Sequence, residues 1–445
     1  MFYRERFKHL RISTVLLLTV LSFSIIVSGQ SKSKTRDVNE LTYVLEPIIR
    51  GENSQFRVDL YFKGNKNGTS KLLLPLEWDG QAQLYNQIRN LRAASANIRI
   101  DDTPEPHVKI IVHPSNAAVH IQYDVVQDWS GNVVKSGLYN RAVLQKNYFY
   151  FIGNAFWLYP DWKRGKQLSI EIQWKNIPQN WSLATSFGAG KMRQTVKASL
   201  HDFIKGVYLG GDFRIESVSV RGKPVYTATR GDWKFSDEEF QTLVRRVTHE
   251  QRAFWNDDAF PYYLVVLFPV GDTTIGGEAR TNSFSLYVRK DAETVSSFQF
   301  TLAHELFHLW NPIKLGGLED ESLYWFSEGL TDYYAALLLL RGGFISLDEY
   351  ASGVNESLKI YYTSPVRDLT NEQILTARRE SYDAERQPYQ RGNLLAHNWN
   401  ALIKSTTGNR YSLDDVMLDL FKASRKKGFI LSAKSIDAAF RRYLK

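Results

Sequence analysis

The hydrophobic period of this chain changes once, near residue 235, and that change limits the fold more than any other feature. Before it, apolar and polar residues alternate. In "QLSIEIQW" (167–174) Leu168, Ile170, Ile172 and Trp174 take every second place, as do Val119, Ile121, Tyr123 and Val125 in "VHIQYDVV" (119–126). Runs at 56–62 and 107–112 behave in the same way. A period of two belongs to strands with one buried face. Several such strands between Gly, Asn, Asp and Pro turns predict a β-sandwich-like domain over 41–230. Beyond it, Ser236 and Glu239 stand at capping-box spacing, and Phe240, Leu243, Val244, Val247 and Phe254 follow at helical intervals. "YYLVVLF" (262–268) and "SFSLYV" (283–288) read as strands joined by a glycine-bearing loop, "PVGDTTIGGEARTN". Helices dominate from 291 onward, with a second capping box at Ser346 and Glu349 and Gly408 ending a helical run. The expected fold class is α+β and multidomain: a β domain, a small α/β region, then helices.

The 445 residues include no cysteine, which excludes disulfides and cysteine-held zinc or iron–sulfur sites. Any metal must be held by His, Asp or Glu. The formal charge of +9 is scattered, with no basic stripe interleaved with aromatics, so nucleic acid is not an expected partner. "SRKKG" (424–428) and "FRRYLK" (440–445) read as solvated helix faces. Residues 1–11 are basic, 12–27 are apolar, and small residues follow. That order predicts a secretory signal ending near Gly29, or an uncleaved membrane anchor, then a flexible leader over 30–40. In either case the chain is exported: periplasmic, secreted, or anchored facing outward. Membrane contact is expected only through this segment. Oligomeric state is not legible.

"TLAHELFHLW" (301–310) lies in a stretch free of Gly and Pro from 293 to 310, with Pro312 to stop it. A helix there places His304 and His308 on one face, able to present two imidazole nitrogens to one ion. Glu305 stands beside them, within reach of a metal-bound water. This HExxH pattern has known mechanics in metallopeptidases. A catalytic zinc takes three protein ligands and keeps one open position. "YWFSEGLTDYYAALLLL" (324–340) reads as a second helix, and Gly316-Gly317 let it run back against the first. Glu328 is the candidate third ligand. Asp332, one turn on, is placed to accept the free N–H of a ligand histidine. An oxyanion also needs a donor near the metal; Tyr389 in "RQPYQRGN" (386–393), just ahead of a helix, is the candidate, with Arg391 a weaker one.

With these residues in hand, the chain resembles the glycyl aminopeptidase family of gluzincin metallopeptidases. The match lies in "HELFHLWN" (304–311) and "WFSEGLTDYY" (325–334), while "PYQRG" (388–392) is similar to a segment of related aminopeptidases that carries the oxyanion tyrosine. The resemblance implies a thermolysin-like catalytic domain over 231–343 and a C-terminal helical domain over 344–445. It implies one zinc ion on His304, His308 and Glu328, with Glu305 as base, Tyr389 as donor, and a peptide substrate losing small N-terminal residues. The backbone of "SFSLYV" is expected to pair with the extended substrate as an added strand. Family members often carry a PDZ domain; no stretch here reads as one. The family shows Gly-Gly-Leu-Glu-His where this chain has "GGEAR" (276–280), so Gly276 and Gly277 fit as substrate-binding positions. Ala279 replaces the glutamate that meets the substrate amine. Glu278 stands one residue early, on the opposite face of an extended segment; with Arg391 it completes the candidate substrate-binding set. Three functions remain open: an aminopeptidase, a zinc endopeptidase with the same core chemistry, and a non-enzymatic surface protein on a peptidase scaffold.

Overall fold

Strand Tyr263–Val270, "YLVVLFPV", is almost wholly buried on both faces, as befits an interior strand with parallel neighbours and layers on either side. The computed structural model describes residues 40–444 except 51–52, 79, 131–135, 163–164, 261, 272–274, 319 and 379. The expected signal or anchor and the leader up to residue 39 lie outside the described residues.

That strand is the middle of a five-stranded sheet in the order Arg214–Val220, Lys223–Thr229, Tyr263–Val270, Ser283–Arg289, Gly276–Arg280. The inner pairings are parallel and the outer two antiparallel. One face (Val265, Leu267, Phe284, Leu286) packs into a helical core. The other (Leu264, Val266, Phe268, Tyr287) packs on Tyr150, Ile152, Val207 and Leu209 of the N-terminal region.

Three expectations change here. The hairpin Arg214–Thr229, assigned by its alternation to a β domain ending at 230, pairs instead into this second sheet, because Lys223–Thr229 runs parallel to Tyr263–Val270. Part of the presumed loop 269–282 is a strand, Gly276–Arg280. Its two glycines conceal the alternation, since glycine lacks the side chain that period-reading depends on. And "SFSLYV" has a neighbour on each side, so it cannot accept an added peptide strand; among the described residues the sheet's edges are Arg214–Val220 and Gly276–Arg280, and the second is the one on this side.

The N-terminal region holds sheets of six, four and five strands. Gln167–Trp174, as expected, is a strand, with Leu168, Ile170, Ile172 and Trp174 buried. The three sheets share one apolar core from Leu41 to Tyr208, with Phe149, Phe151, Phe156 and Trp157 at its centre. Helix α1 (Leu200–Ile204) closes that region.

Helix α2 (Asp237–Trp255) begins with the Ser236–Glu239 capping box read from the sequence. Helix α3 (Gln299–Phe307) is shorter than expected. A 3-10 turn, Val295–Phe298, precedes it, and the chain leaves the helix after His308 because Asn311, ahead of Pro312, takes φ −107° and ψ 103°. Gly316 and Gly317 adopt φ of +105° and +74°, values that favour glycine, and turn the chain into α4 (Tyr324–Arg341). Then come α5 (Leu347–Thr363), α6 (Asn371–Ala377), α7 (Tyr382–Thr406), α8 (Leu413–Ser424) and α9 (Ala433–Phe440). Val244, Leu302, Leu330, Ile403, Leu420 and Ile436 belong to a single core. The expected boundary at 343/344 therefore separates no independent cores. Among the described residues no helix is long and apolar enough to cross a membrane.

Candidate metal centre

Helix α3 presents His304 and, at its C-cap, His308 on one face, and α4 brings Glu328 against them. Their Nε2 atoms are 3.0 Å apart, and Glu328 Oε2 is 3.3 Å from each. All three residues are buried. Each histidine's other nitrogen is engaged: His304 Nδ1 with Asp332 Oδ1 at 2.7 Å, and His308 Nδ1 with the Asn311 carbonyl at 2.8 Å. A carbonyl and a carboxylate can only accept, so in the neutral rings both Nδ1 atoms carry the proton. Two Nε2 lone pairs and a carboxylate oxygen then face one another, an arrangement that calls for a cation. The separations also suit zinc: tetrahedral ligands about 2.0–2.1 Å from the ion stand about 3.3 Å apart. The donor set therefore fits a zinc ion.

Charge follows the same logic. Burial pushes the Glu328 carboxyl up, but the His308 charge and hydrogen bonds from both imidazoles outweigh it and hold the group ionised. Burial pushes His304 down, while its bonds to Asp332 and Glu328 win and raise it well above the usual imidazole range. His308 is raised too, burial again being overcome by Glu328. Glu305 is raised from the ordinary carboxylate range by burial, with the neighbouring histidines pulling the other way. Asp332→Asn is expected to weaken zinc retention ~10–100-fold, as competition with a chelator of known affinity would register; unchanged affinity would remove Asp332 from this role.

Tyr389 reaches the centre from α7, its ring stacked on that of His304 at 5.9 Å between centroids. It was read as lying just ahead of a helix; it lies inside one, next to Pro388. Burial and the Glu328 charge hold its phenol well above the ordinary range, so it remains a donor. Asn311, quoted in the motif but given no role, is fully buried. Its amide donates to the Phe326 and Ser327 carbonyls while its own carbonyl orients His308. It thus ties the end of α3, with His308, to α4, with Glu328. The only sequence signal was a buried-type Asn before Pro312.

The M61 glycyl aminopeptidase profile matches residues 297–398, and the peptidase M61 N-terminal domain profile matches residues 50–204. Together they span more than half of the chain. The chain belongs to the M61 glycyl aminopeptidase family. No curated protein matches it by sequence. Among solved structures, it is similar to an aminopeptidase N family protein from Idiomarina loihiensis, with TM-score 0.71 and 20% identity over 86% of this chain and 70% of that one. It is also similar to a mutant M1 zinc metallopeptidase from Deinococcus radiodurans bound to a Tyr-Ser-Ala substrate, with TM-score 0.54 and 15% identity over 92% and 91% of the two chains. These likenesses show an aminopeptidase-like fold.

Within this M61 framework the edge strand lies against the centre. A Cβ on Gly277 would fall 2.2 Å from Glu305 Cγ, whereas one on Gly276 would meet nothing within 4 Å. Gly277 lets the strand approach the glutamate, and Gly276 leaves the edge open. Glu278 and Arg391 do not join the metal group. Glu278 pairs across the sheet with Ser285, on the face toward the N-terminal region, where it meets the Tyr287 hydroxyl at 3.1 Å and ion-pairs with Arg280. Arg391 clamps a loop, donating to Asn371 Oδ1 and to the Arg367 and Leu369 carbonyls. Both were expected at the substrate; period two turns Glu278 away, and Arg391 is occupied by loop carbonyls. A cleft of about 1070 Å³ runs nearby, lined by Trp78, Lys205, Tyr324 and Arg378 among others. Trp78 lies against Arg280 at the strand's end, 4.9 Å from guanidinium carbon to ring centre.

Proposed function

We propose that this chain is an exported, zinc-dependent aminopeptidase that releases small N-terminal residues. The observation that carries the peptidase chemistry is the meeting of His304, His308 and Glu328 within 4.8 Å beside Glu305. Family membership supports the amino-terminal mode, and residues 1–29 support export. One zinc would be held by the two imidazoles and the Glu328 carboxylate; when bound it lowers the pKa of water and polarises a carbonyl. Glu305 takes a proton from the attacking water and returns it to the leaving amine. Tyr389 donates to the carbonyl oxygen as negative charge builds there. The peptide lies along Gly276–Arg280 as an added strand, with its side chains reaching the cleft beside Tyr324.

Ala279 favours a second reading, cleavage within a chain. It faces the same side as Gly277 and carries no charge for a terminal amine, and Glu278 is paired elsewhere. A mixed peptide library with free and acetylated N-termini, digested by chelated and zinc-restored protein, separates the readings. An aminopeptidase cuts after the first residue and requires the free amine. Internal cuts in acetylated peptides would establish the second reading, and no zinc-dependent cleavage would end both.

Metal capture should also depend on pH. In the metal-free protein the imidazoles titrate above their usual range, and zinc needs them deprotonated at Nε2. Zinc affinity is therefore expected to be full above that raised pKa and to fall as pH drops through it, with protons released on binding. Zinc titration calorimetry in buffers of differing ionisation enthalpy reads this directly. Affinity flat from about pH 8 to 6 would contradict the protonated apo pair.

A further inference from the structure

The Tyr389 hydroxyl stands 3.4 Å from that of Tyr324, and the two rings are perpendicular with centroids 6.1 Å apart. Tyr324 opens α4 one turn ahead of Glu328 and lines the cleft. Arg378 lies against its ring, 4.8 Å from the centroid, and is held there by Glu321 at 3.1 Å. Arg386, one turn before Tyr389 on α7, lies 5.4 Å from the Tyr389 ring centre.

A phenol has one proton to give but can accept while giving it. If Tyr389 is to stabilise a developing oxyanion, its proton must point toward the metal centre and not toward Tyr324. The hydrogen bond between the two phenols must then run from Tyr324 to Tyr389. We propose that Tyr324 is a positioning residue for the oxyanion donor: its O–H donates to the Tyr389 oxygen, turns the Tyr389 proton toward the substrate carbonyl, and strengthens it through the chain of two bonds. The guanidinium against each ring draws electron density from the phenol and makes both hydroxyls better donors. This rests on Tyr389 being the oxyanion donor, and the experiment keeps the two claims apart.

Tyr324→Phe, Tyr389→Phe and the double variant are prepared with zinc bound. Metal content, thermal midpoint, kcat, KM and the affinity of a phosphinate peptide, a tetrahedral mimic, are measured for each. Tyr389→Phe is expected to lower kcat and phosphinate affinity about 100-fold. Tyr324→Phe should lower both about 10-fold, with KM, zinc content and midpoint unchanged. In the Tyr389→Phe background, Tyr324→Phe should cost nothing more. Full phosphinate affinity in Tyr324→Phe beside a weakened Tyr389→Phe overturns the proposal alone, and so do losses that simply multiply in the double variant. An intact Tyr389→Phe removes the reading beneath it. Should Tyr324→Phe alter zinc content or midpoint, 2,3-difluorotyrosine at 324 keeps the shape with a more acidic hydroxyl. Tighter phosphinate binding then supports the proposal, and unchanged or weaker binding overturns it.

Discussion

Glu305→Gln is expected to keep its zinc and to lose turnover by about 1,000-fold or more. The substitution preserves size and leaves His304, His308 and Glu328 in place, with Glu328 Oε2 3.3 Å from both Nε2 atoms. It removes a group that can accept a proton, and general-base catalysis by a positioned carboxylate is worth about 100–10,000-fold. Burial, which raises the carboxyl pKa, places Glu305 toward the high end of that range, because a base nearer neutrality accepts a proton more readily. Zinc content by elemental analysis and kcat on one free-amine peptide decide the matter. Turnover near the wild-type rate would strip Glu305 of its role, and loss of zinc would make it a ligand instead of a base.

Gly392→Ala should destabilise the fold by about 3 kcal/mol and lower kcat with it. Helices α4 and α7 cross at two glycines. A Cβ on Gly392 would lie 2.0 Å from the Trp325 carbonyl oxygen, and one on Gly329 would lie 2.2 Å from Gly392 Cα. The obstructing atoms are backbone, so no rotamer change relieves the clash and the helices must separate. Tyr389 is one turn before Gly392 on α7, and Glu328 adjoins Gly329 on α4, so separation moves Tyr389 away from the group of His304, His308 and Glu328. Urea unfolding and kcat should fall together. A variant with wild-type stability would show that the helices do not cross so closely.

Much of this could be read from residue order because side chains announce it. Alternation marks Gln167–Trp174, the two capping boxes open α2 and α5, and the meeting of His304, His308 and Glu328 follows from their type and spacing. What was missed lacks such a mark. The Gly276–Arg280 strand opens with two glycines, needed where Gly277 passes Glu305. Tyr389 looked like a pre-helix residue because Pro388 and Gly392 read as breakers, whereas α7 runs through both and Gly392 is where α4 passes. The Arg214–Thr229 hairpin alternates like any N-terminal strand, and period reveals a strand without naming its sheet. His308 is held by a backbone carbonyl, for which no side chain speaks.

The most direct test of the central claim is anomalous diffraction at the zinc edge from zinc-loaded protein. The expected result is one peak per chain, bounded by His304 Nε2, His308 Nε2 and Glu328 Oε2. A peak elsewhere, or one with Glu328 turned away from the imidazoles, would contradict it.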